Sequence, residues 1–555
     1  MSRTLTPDST LDNLKKEAKR WLKALRDGDA KARERLAAAT PAAPASPGLR
    51  DVQLALAREY GLSGWTALKD ALDDLALSRR SRTELIDIVL RSAWLGDRVA
   101  AARILARYPD IRSATFYIAT ATEDFDTLKR RLAADPAAAK RRGGPFDWEP
   151  LLYLAYARLA DADAPAIDIA RLLLDHGANP NAQLVDDWDN PFTALTGVIG
   201  EGEGDKPPHP QALALATLLI ERGANPFDTQ ALYNTSITRD DTTWLEFLWA
   251  QCEARGAADA WLAVPQPRLG GNVPLNALDY LLGNAVAFNH LKRAEWLVTH
   301  GANPNGVHAY SGRPLYEEAL IHGHTAMAAL LVRHGAVIPR LEGAAAFQAA
   351  CMRVDRDAAR TLADQHPECL LDASSMLNAA RQGRTDVVAL LLELGMNVDV
   401  ADATEQRGIH NAVAGNALDV VKLLVAHGAD IDRPTTRFGG AMGFAAHFNR
   451  REIAAFLAPL SSDVFELTYL GMKERLQELF DENPSLANAV HPRAGITPLF
   501  CLPDDEDDAV EMTEFLLARH ASPEARNGNG ETAEQIARKR GLIDAADLMQ
   551  PDDAG

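Results

Sequence analysis

Fourteen histidines offer the first prospect of chemistry in this sequence. His322-Gly323-His324 places two imidazoles within chelating reach, but no third ligand of the kind a zinc site needs stands nearby. His176, His300, His334 and His427 each directly precede a glycine, in the same slot of a recurring string. Four imidazoles in one slot of four separate segments point to a structural role at helix C-termini, where partial positive charge is favoured. The acidic run DDEDD at 504–508 could attract a cation. It lacks the alternating ligands and central glycine of a calcium loop, and it reads as a solvated insertion between two helices. GEGEG at 200–204 carries two glutamates, which repel phosphate. No nucleophile elbow, phosphate-binding glycine loop or HExxH motif is present. Catalytic residues, cofactors and metal ligands are therefore all expected to be none.

The elements behind those histidines explain their spacing. The string RLLLDHGANPNA at 171–182 returns in variant form with its glycine at Gly223, Gly301, Gly335, Gly395 and Gly428. Gly301 and Gly335 lie 34 residues apart, and Gly395 and Gly428 lie 33 apart. The wider gap between Gly177 and Gly223 requires an insertion, which the stretch 200–210 supplies. A period near 33 over hundreds of residues implies a repeat array. In the unit 313–340, Leu315, Ala319 and Leu320 share one helical face behind Pro314. Gly323 breaks that helix, Thr325 is placed to cap a second, and Ala328, Leu330 and Leu331 line its buried side up to Gly335. Neither helix buries its apolar face alone, so each depends on its neighbours.

This pattern resembles the ankyrin repeat family. The matching pieces are Leu172-Leu173-Leu174 with Gly177-Ala178-Asn179-Pro180, Gly383-Arg384 with Asp386-Val387-Val388 and Leu391-Leu392, Thr497-Pro498-Leu499 after Gly495, and Asn529-Gly530-Glu531-Thr532-Ala533 with Ile536-Ala537. The resemblance implies an all-α solenoid of helix-turn-helix units with hairpin loops. It spans 81–550 with about 12–13 repeats and a helical cap at 532–548. Repeats around 243–258, 344–372, 441–460 and 466–488 are degenerate. The family's Thr-Pro-Leu-His signature appears only in part, with Phe500 in place of histidine. The loop-stiffening side-chain bonds are accordingly expected to be mostly absent, and the loops 200–210 and 263–273 to be long and mobile.

Residues 1–80 differ from the rest. Leu11, Leu14, Ala18, Trp21 and Leu25 fall at helical spacing, with Ser9 or Thr10 as cap and Gly28 as stop. A second helix is expected at 30–39. Residues 40–48 form a linker rich in proline and alanine, and two more helices are expected at 49–61 and 63–75. The block resembles a leader found ahead of some bacterial ankyrin arrays and is expected to cap the first repeat. Its segment 56–70 has the spacing of a helix-turn-helix, but the second helix offers only Lys69 as a base while Asp70, Asp73 and Asp74 oppose DNA.

Net charge is −19, divided as +4 on residues 1–80 and −23 on the remainder. An acidic body repels phosphate backbones, so no nucleic acid is expected. The four cysteines, Cys252, Cys351, Cys369 and Cys501, have no metal or disulfide spacing and suit a reducing compartment. No apolar signal region and no run of 18 apolar residues occurs, so no membrane span is expected. A cytoplasmic monomer is the expectation.

What remains for function is the set of hairpin tips. The resemblance implies partner binding through tips and the concave first-helix face. Phe146, Trp148, Trp188, Tyr310, Arg407, Arg437, Phe438 and Arg493 stand in those tips, and exposed aromatics and arginines are the usual anchors of interfaces. The expected function is a non-catalytic scaffold for a protein partner, with a basic partner surface preferred electrostatically. The alternatives are an exported effector that binds host proteins, and an enzyme with an unrecognised site.

Overall fold

The computed structural model describes all residues except 1–2, 7–8, 10, 42, 45–46, 96–97, 160, 162, 187–188, 203, 265–268, 437–438 and 551–555. The chain divides into two compact units, residues 79–349 and residues 1–78 together with 350–555. Among the described residues, short helices dominate, and the one regular sheet is the hairpin Gln183–Val185 with Pro191–Thr193. Most of these helices have 12 residues or fewer. Such lengths are marginal in isolation, so tertiary stacking must hold them.

The 313–340 unit shows how. Helix Leu315–Ile321 buries Leu315, Ala319, Leu320 and Ile321. Helix Thr325–Arg333 buries Met327, Ala328, Leu330 and Leu331. Each buried leucine contributes roughly 2 kcal/mol over exposure. Thr325 is not the cap. His324 stands there and offers no side-chain acceptor, because its Nδ1–H donates to the Val286 carbonyl at 3.0 Å.

The stop glycines share one geometry. Gly177, Gly223, Gly301, Gly335, Gly395 and Gly428 all have φ between +82° and +103°. In each case the next residue's N–H returns five residues into the helix, as from Ala178 to Leu173 and from Ala336 to Leu331. That left-handed reversal is open to glycine without strain. The degenerate stretches also form helices, at Thr243–Glu253, Gly343–Met352, Arg356–Gln365, Ala441–His447, Arg451–Leu457, Val464–Tyr469 and Lys473–Glu482.

The loop 200–210 is tied down, contrary to the mobility expected of it. Glu201 pairs with Lys206 in a β-bridge, Gly202 N–H reaches the Asn234 carbonyl at 3.2 Å, and the Glu201 carboxylate accepts from the Thr238 hydroxyl at 2.9 Å. In the second loop, Asn272 and Val273 N–H both reach the Ala309 carbonyl.

In the other unit, leader helix Leu11–Arg26 buries Leu14, Ala18, Trp21, Leu22 and Leu25, the face its spacing predicts. Helices Ala30–Ala39, Leu49–Glu59 and Trp65–Arg79 complete a small core around Leu56 and Leu68. Arg3 and Arg35 bracket Glu17 and Glu59. Those bonds hold both carboxyls below the usual range, against the desolvation that opposes it.

Within this unit the leader also contacts the segment 507–547. Helix Leu11–Arg26 packs on helix Ile543–Leu548. Lys16 reaches Asp547 at 2.7 Å, Lys19 reaches Asp544 at 3.2 Å, and Lys15 and Lys69 approach Asp507 at 3.7 and 4.0 Å. A basic helix face thus meets an acidic helix end, a match that adjacency in sequence does not suggest. The stretch 532–548, expected as one helix, is two helices, Ala533–Lys539 and Ile543–Leu548, divided at Gly541 with φ +81°.

The DDEDD run, expected as a solvated insertion, keeps Asp504, Asp505 and Asp508 exposed and also forms a junction. Asp505 caps helix Glu506–Leu517 by accepting from the N–H groups of Asp507 and Asp508. Glu506 accepts from the N–H groups of Ile543, Asp544 and Ala545 at 2.7–3.2 Å, capping the last helix. Asp504 accepts from Tyr469 Oη and pairs with Arg540.

Candidate functional site

Hairpins stand where the tips were expected. Gly143 bridges Trp148, Val307 bridges Pro314, and Ala401 bridges Arg407. The eight tip residues fall into different surroundings. Trp188, Arg437 and Phe438 lie outside the described residues. Arg407 is 2% exposed, with Nη2 on Glu405 at 2.7 Å, so it presents no guanidinium at the tip. Arg493 is exposed, and its Nη1 donates to the Thr435 carbonyl at 2.7 Å. Phe146, Trp148 and Tyr310 belong to the 79–349 unit.

Phe146 and Trp148 join a ring array. They stack at 4.6 Å between centroids, Trp148 meets Trp94 edge-on at 4.9 Å, and Trp94 lies 5.0 Å from Tyr156. Arg91 lies over Phe146 at 5.3 Å. The hairpin is fastened by Tyr153, whose hydroxyl donates to the Gly143 carbonyl at 2.8 Å. Gly144 permits that approach, since a Cβ there would run into the Tyr153 hydroxyl. Trp94 and Tyr156 also line a cavity of about 750 Å³, with Tyr310, Tyr233, Arg158 and Asn234. Tyr310 is 48% exposed and shares a 3.1 Å hydroxyl contact with Tyr280. The Arg158 guanidinium donates to the carbonyls of Ala155, Ala157, Gly197 and Pro207, and burial pulls its pKa down to about 10. Of the eight tip residues, Tyr310 lines this cavity, while Phe146 and Trp148 reach it only through their ring contacts with Trp94; its size suits ligand groups.

A second cavity, of about 1030 Å³, lies within the other unit. Glu466, Tyr469, His491, Arg493, Cys501 and Arg540 line it, with Gly439 and Gly443. Burial, reinforced by the charge of Asp463, pushes the Glu466 carboxyl up to about 7. Burial beside those same carboxylates pushes the Cys501 thiol up to about 12. A thiol so protonated is not a nucleophile. The Glu466 carboxyl has the proton affinity of a general acid or base.

The repeated histidines act through hydrogen bonds. The Nδ1–H groups of His176, His300 and His427 donate to the carbonyls of Leu172, Trp296 and Leu423 at 2.7–2.9 Å, closing the last helical turn. His334 instead places Nε2 2.9 Å from Glu295. Around Glu318, His322 lies at 3.3 Å and His308 at 3.8 Å. Among the described residues, no three His, Cys, Asp or Glu side chains are grouped to hold a metal ion. None of the described helices is long and apolar enough to cross a membrane.

Two structural devices escaped the sequence reading. The first is His410. Its Nδ1 accepts from Arg407 N–H at 3.1 Å, and its Nε2–H donates to the Arg433 carbonyl at 3.1 Å. Arg407-Gly408-Ile409-His410 thus fills the slot of Thr-Pro-Leu-His with only the histidine retained. Thr193 with Thr196, Asn276 with Asp279 and Thr532 with Gln535 make comparable local bonds. Loop stiffening is therefore present, through other residue types. The second device is an asparagine four residues after the stop glycine. Asn181 donates to the Gly223 carbonyl and accepts from Asn225 N–H, both at 2.8 Å. Asn305 does the same with Gly335 and Val337. The signal was legible as a second periodic Asn in Asn-Pro-Asn.

Helix pairs with glycine stops, hairpins between them and side-chain bridges from one repeat to the next define an all-α repeat solenoid. The chain contains ankyrin repeats: residues 375–468 match the family model described as ankyrin repeats, in three copies. It is similar at 26% identity over 214 residues to ankyrin repeat and SAM domain-containing protein 6 of Danio rerio, covering 36% of this chain and 28% of that protein. It is also similar at 42% identity over 62 residues to ankyrin repeat and SOCS box protein 6 of Mus musculus, covering 11% of this chain and 15% of that one. The chain thus matches less than a third of either relative's length. A solved complex of a predatory endopeptidase of Bdellovibrio bacteriovorus with its immunity protein matches at 21% identity. That match covers 31% of this chain and 95% of the other, with a TM-score of 0.25, too low to carry an argument. The matched repeats indicate a protein–protein interaction domain.

Proposed function

We propose that the chain is a non-catalytic scaffold that binds a protein partner through the ring-walled cavity of residues 79–349 and the hairpin tip beside it. The observation that carries this reading is the continuous wall from Phe146 and Trp148 through Trp94 and Tyr156 to the cavity, with half-exposed Tyr310 on its lining. Rigid aromatic rings beside a concave space are typical anchors for an entering side chain. The charge of −23 beyond residue 80 favours a basic partner surface. The reading includes a monomeric chain in a reducing compartment such as the cytoplasm, supported by four unpaired cysteines.

The test is affinity capture from source lysate with wild type and with the double variant Phe146→Ala, Tyr310→Ala. Melting curves of both confirm that the variant folds. A partner retained by wild type and lost by the folded variant supports the reading. Equal retention moves the site away from this cavity.

A further inference from the structure

The cavity in the unit built from residues 1–78 and 350–555 has a feature that the ring-walled cavity lacks. Its carboxyl, Glu466, faces two glycines. At Gly439 and at Gly443 the first atoms that an added Cβ would meet belong to the Glu466 side chain. Any larger residue would close that space. The neighbouring charged groups are committed elsewhere. Asp463 accepts from the N–H groups of Phe465 and Glu466. Asp432 accepts from Ser461 and Ser462. Arg540 is held by Asp504 and the Leu502 carbonyl, and Arg493 by the Thr435 carbonyl. Among the described residues, no lysine or arginine forms an ion pair with Glu466. Phe465 and His491, in edge contact at 5.0 Å, and Tyr469 add aromatic wall beside it.

We infer that this cavity is a binding site for the cationic end of a basic side chain, supplied by a protein partner, with Glu466 as its counter-charge. The aliphatic stem of arginine or lysine would run along the rings while the cation meets the carboxylate. The raised proton affinity of Glu466 fits a buried carboxyl whose compensating charge arrives only with the ligand. The inference takes from the proposed function only that the cation comes from a protein. The site is tested without a partner, so its failure and that of the ring-walled cavity are separable.

The probes are Nα-acetyl-arginine methylamide and its neutral counterpart, Nα-acetyl-norleucine methylamide, titrated into the full chain and followed by NMR shifts. The arginine probe is expected to bind and the norleucine probe to bind at least about tenfold more weakly. Glu466→Gln should weaken the arginine probe by about tenfold or more. In wild type, binding should weaken as pH falls from about 8 to about 6, since protonation removes the counter-charge. His447, His491, Asp432, Asp463, Tyr469, Cys501 and Asp504 also line the cavity, and the loss of that pH dependence in Glu466→Gln separates their titration from Glu466. Equal binding of the neutral probe, an affinity unchanged by Glu466→Gln, or no binding of the arginine probe at about 20 mM overturns the inference. If Glu466→Gln does not fold, pH-independent binding to wild type does so alone.

Discussion

Asn181 and Gly223 belong to successive repeats and are joined by a 2.8 Å hydrogen bond from the asparagine side chain to the glycine carbonyl. The same side chain accepts from Asn225 N–H at 2.8 Å. One amide thus satisfies two backbone groups at the point where a left-handed glycine ends a helix. Asn305 repeats the arrangement with Gly335 and Val337.

Replacing this amide should loosen the joint between repeats. Asn181→Ala and Asn305→Ala are each expected to cost about 1–2 kcal/mol, from two lost hydrogen bonds to backbone groups. Urea denaturation of the full chain reads the change. Asn181→Asp should retain the acceptor and lose only the donor, giving a smaller loss.

The leader's attachment is electrostatic and buried at one point. Asp544 is 3% exposed and lies 3.2 Å from Lys19. Lys19→Glu would leave two like charges there, and about 3 kcal/mol of docking should be lost. Hydrogen exchange across helix Leu11–Arg26 should accelerate in the variant while exchange in residues 166–175 stays unchanged. Uniform acceleration would show global unfolding instead.

Acid should weaken the fold through His410. This ring is fully buried and neutral, and desolvation lowers its pKa to about 4, below the ordinary 6.5. Between those values the unfolded chain binds the proton and the folded chain does not. Stability is therefore full above about pH 6.5 and falls as pH drops toward 4, by on the order of 2 kcal/mol from this group. Stability at several pH values in His410→Gln and wild type reads the difference: the mutant should show a shallower acid loss.

Glu466 should act with the opposite slope. Its folded pKa of about 7 exceeds the ordinary 4.5, so the folded chain holds the proton longer. Its ionisation costs stability progressively as pH rises from about 4.5 to about 7. Glu466→Gln is accordingly expected to be more stable than wild type by on the order of 2 kcal/mol near pH 8, with the two converging near pH 4.5. A variant less stable at pH 8 would show that the carboxylate has a partner in the folded state.

Local patterns carried most of the fold into the sequence. The stop glycines, the leucines before them and the apolar face of Leu14, Ala18 and Trp21 act within one or two helical turns, so spacing alone reveals them. The candidate surface was only partly visible. Phe146, Trp148 and Tyr310 were recognisable as aromatic residues in turns, but Trp94 and Tyr156 lie on helices and join them only through folding. Arg407 looked like a tip anchor because a turn flanks it, yet it occupies a signature slot that turns its side chain inward. Glu466 gave no signal, since its surroundings come from Gly439, Gly443 and Cys501 on separate elements as well as from its neighbour Asp463. The junction made by the DDEDD run gave no signal because Lys15 and Lys69 are hundreds of residues away, and Arg540 and helix Ile543–Leu548 also lie beyond the reach of local patterns.

The docking of the leader on the last helix also sets an order of events during synthesis. Lys16 and Lys19 leave the ribosome hundreds of residues before Asp544 and Asp547. At translation rates of roughly 5–20 residues per second, the leader's basic face waits on the order of a minute for its acidic partner. Throughout that interval its lysines are open to other acidic surfaces, including those of the newly folded repeats and of neighbouring chains. The nascent protein is therefore exposed to mispairing at helix Leu11–Arg26, and charge reversal there should lower the yield of folding.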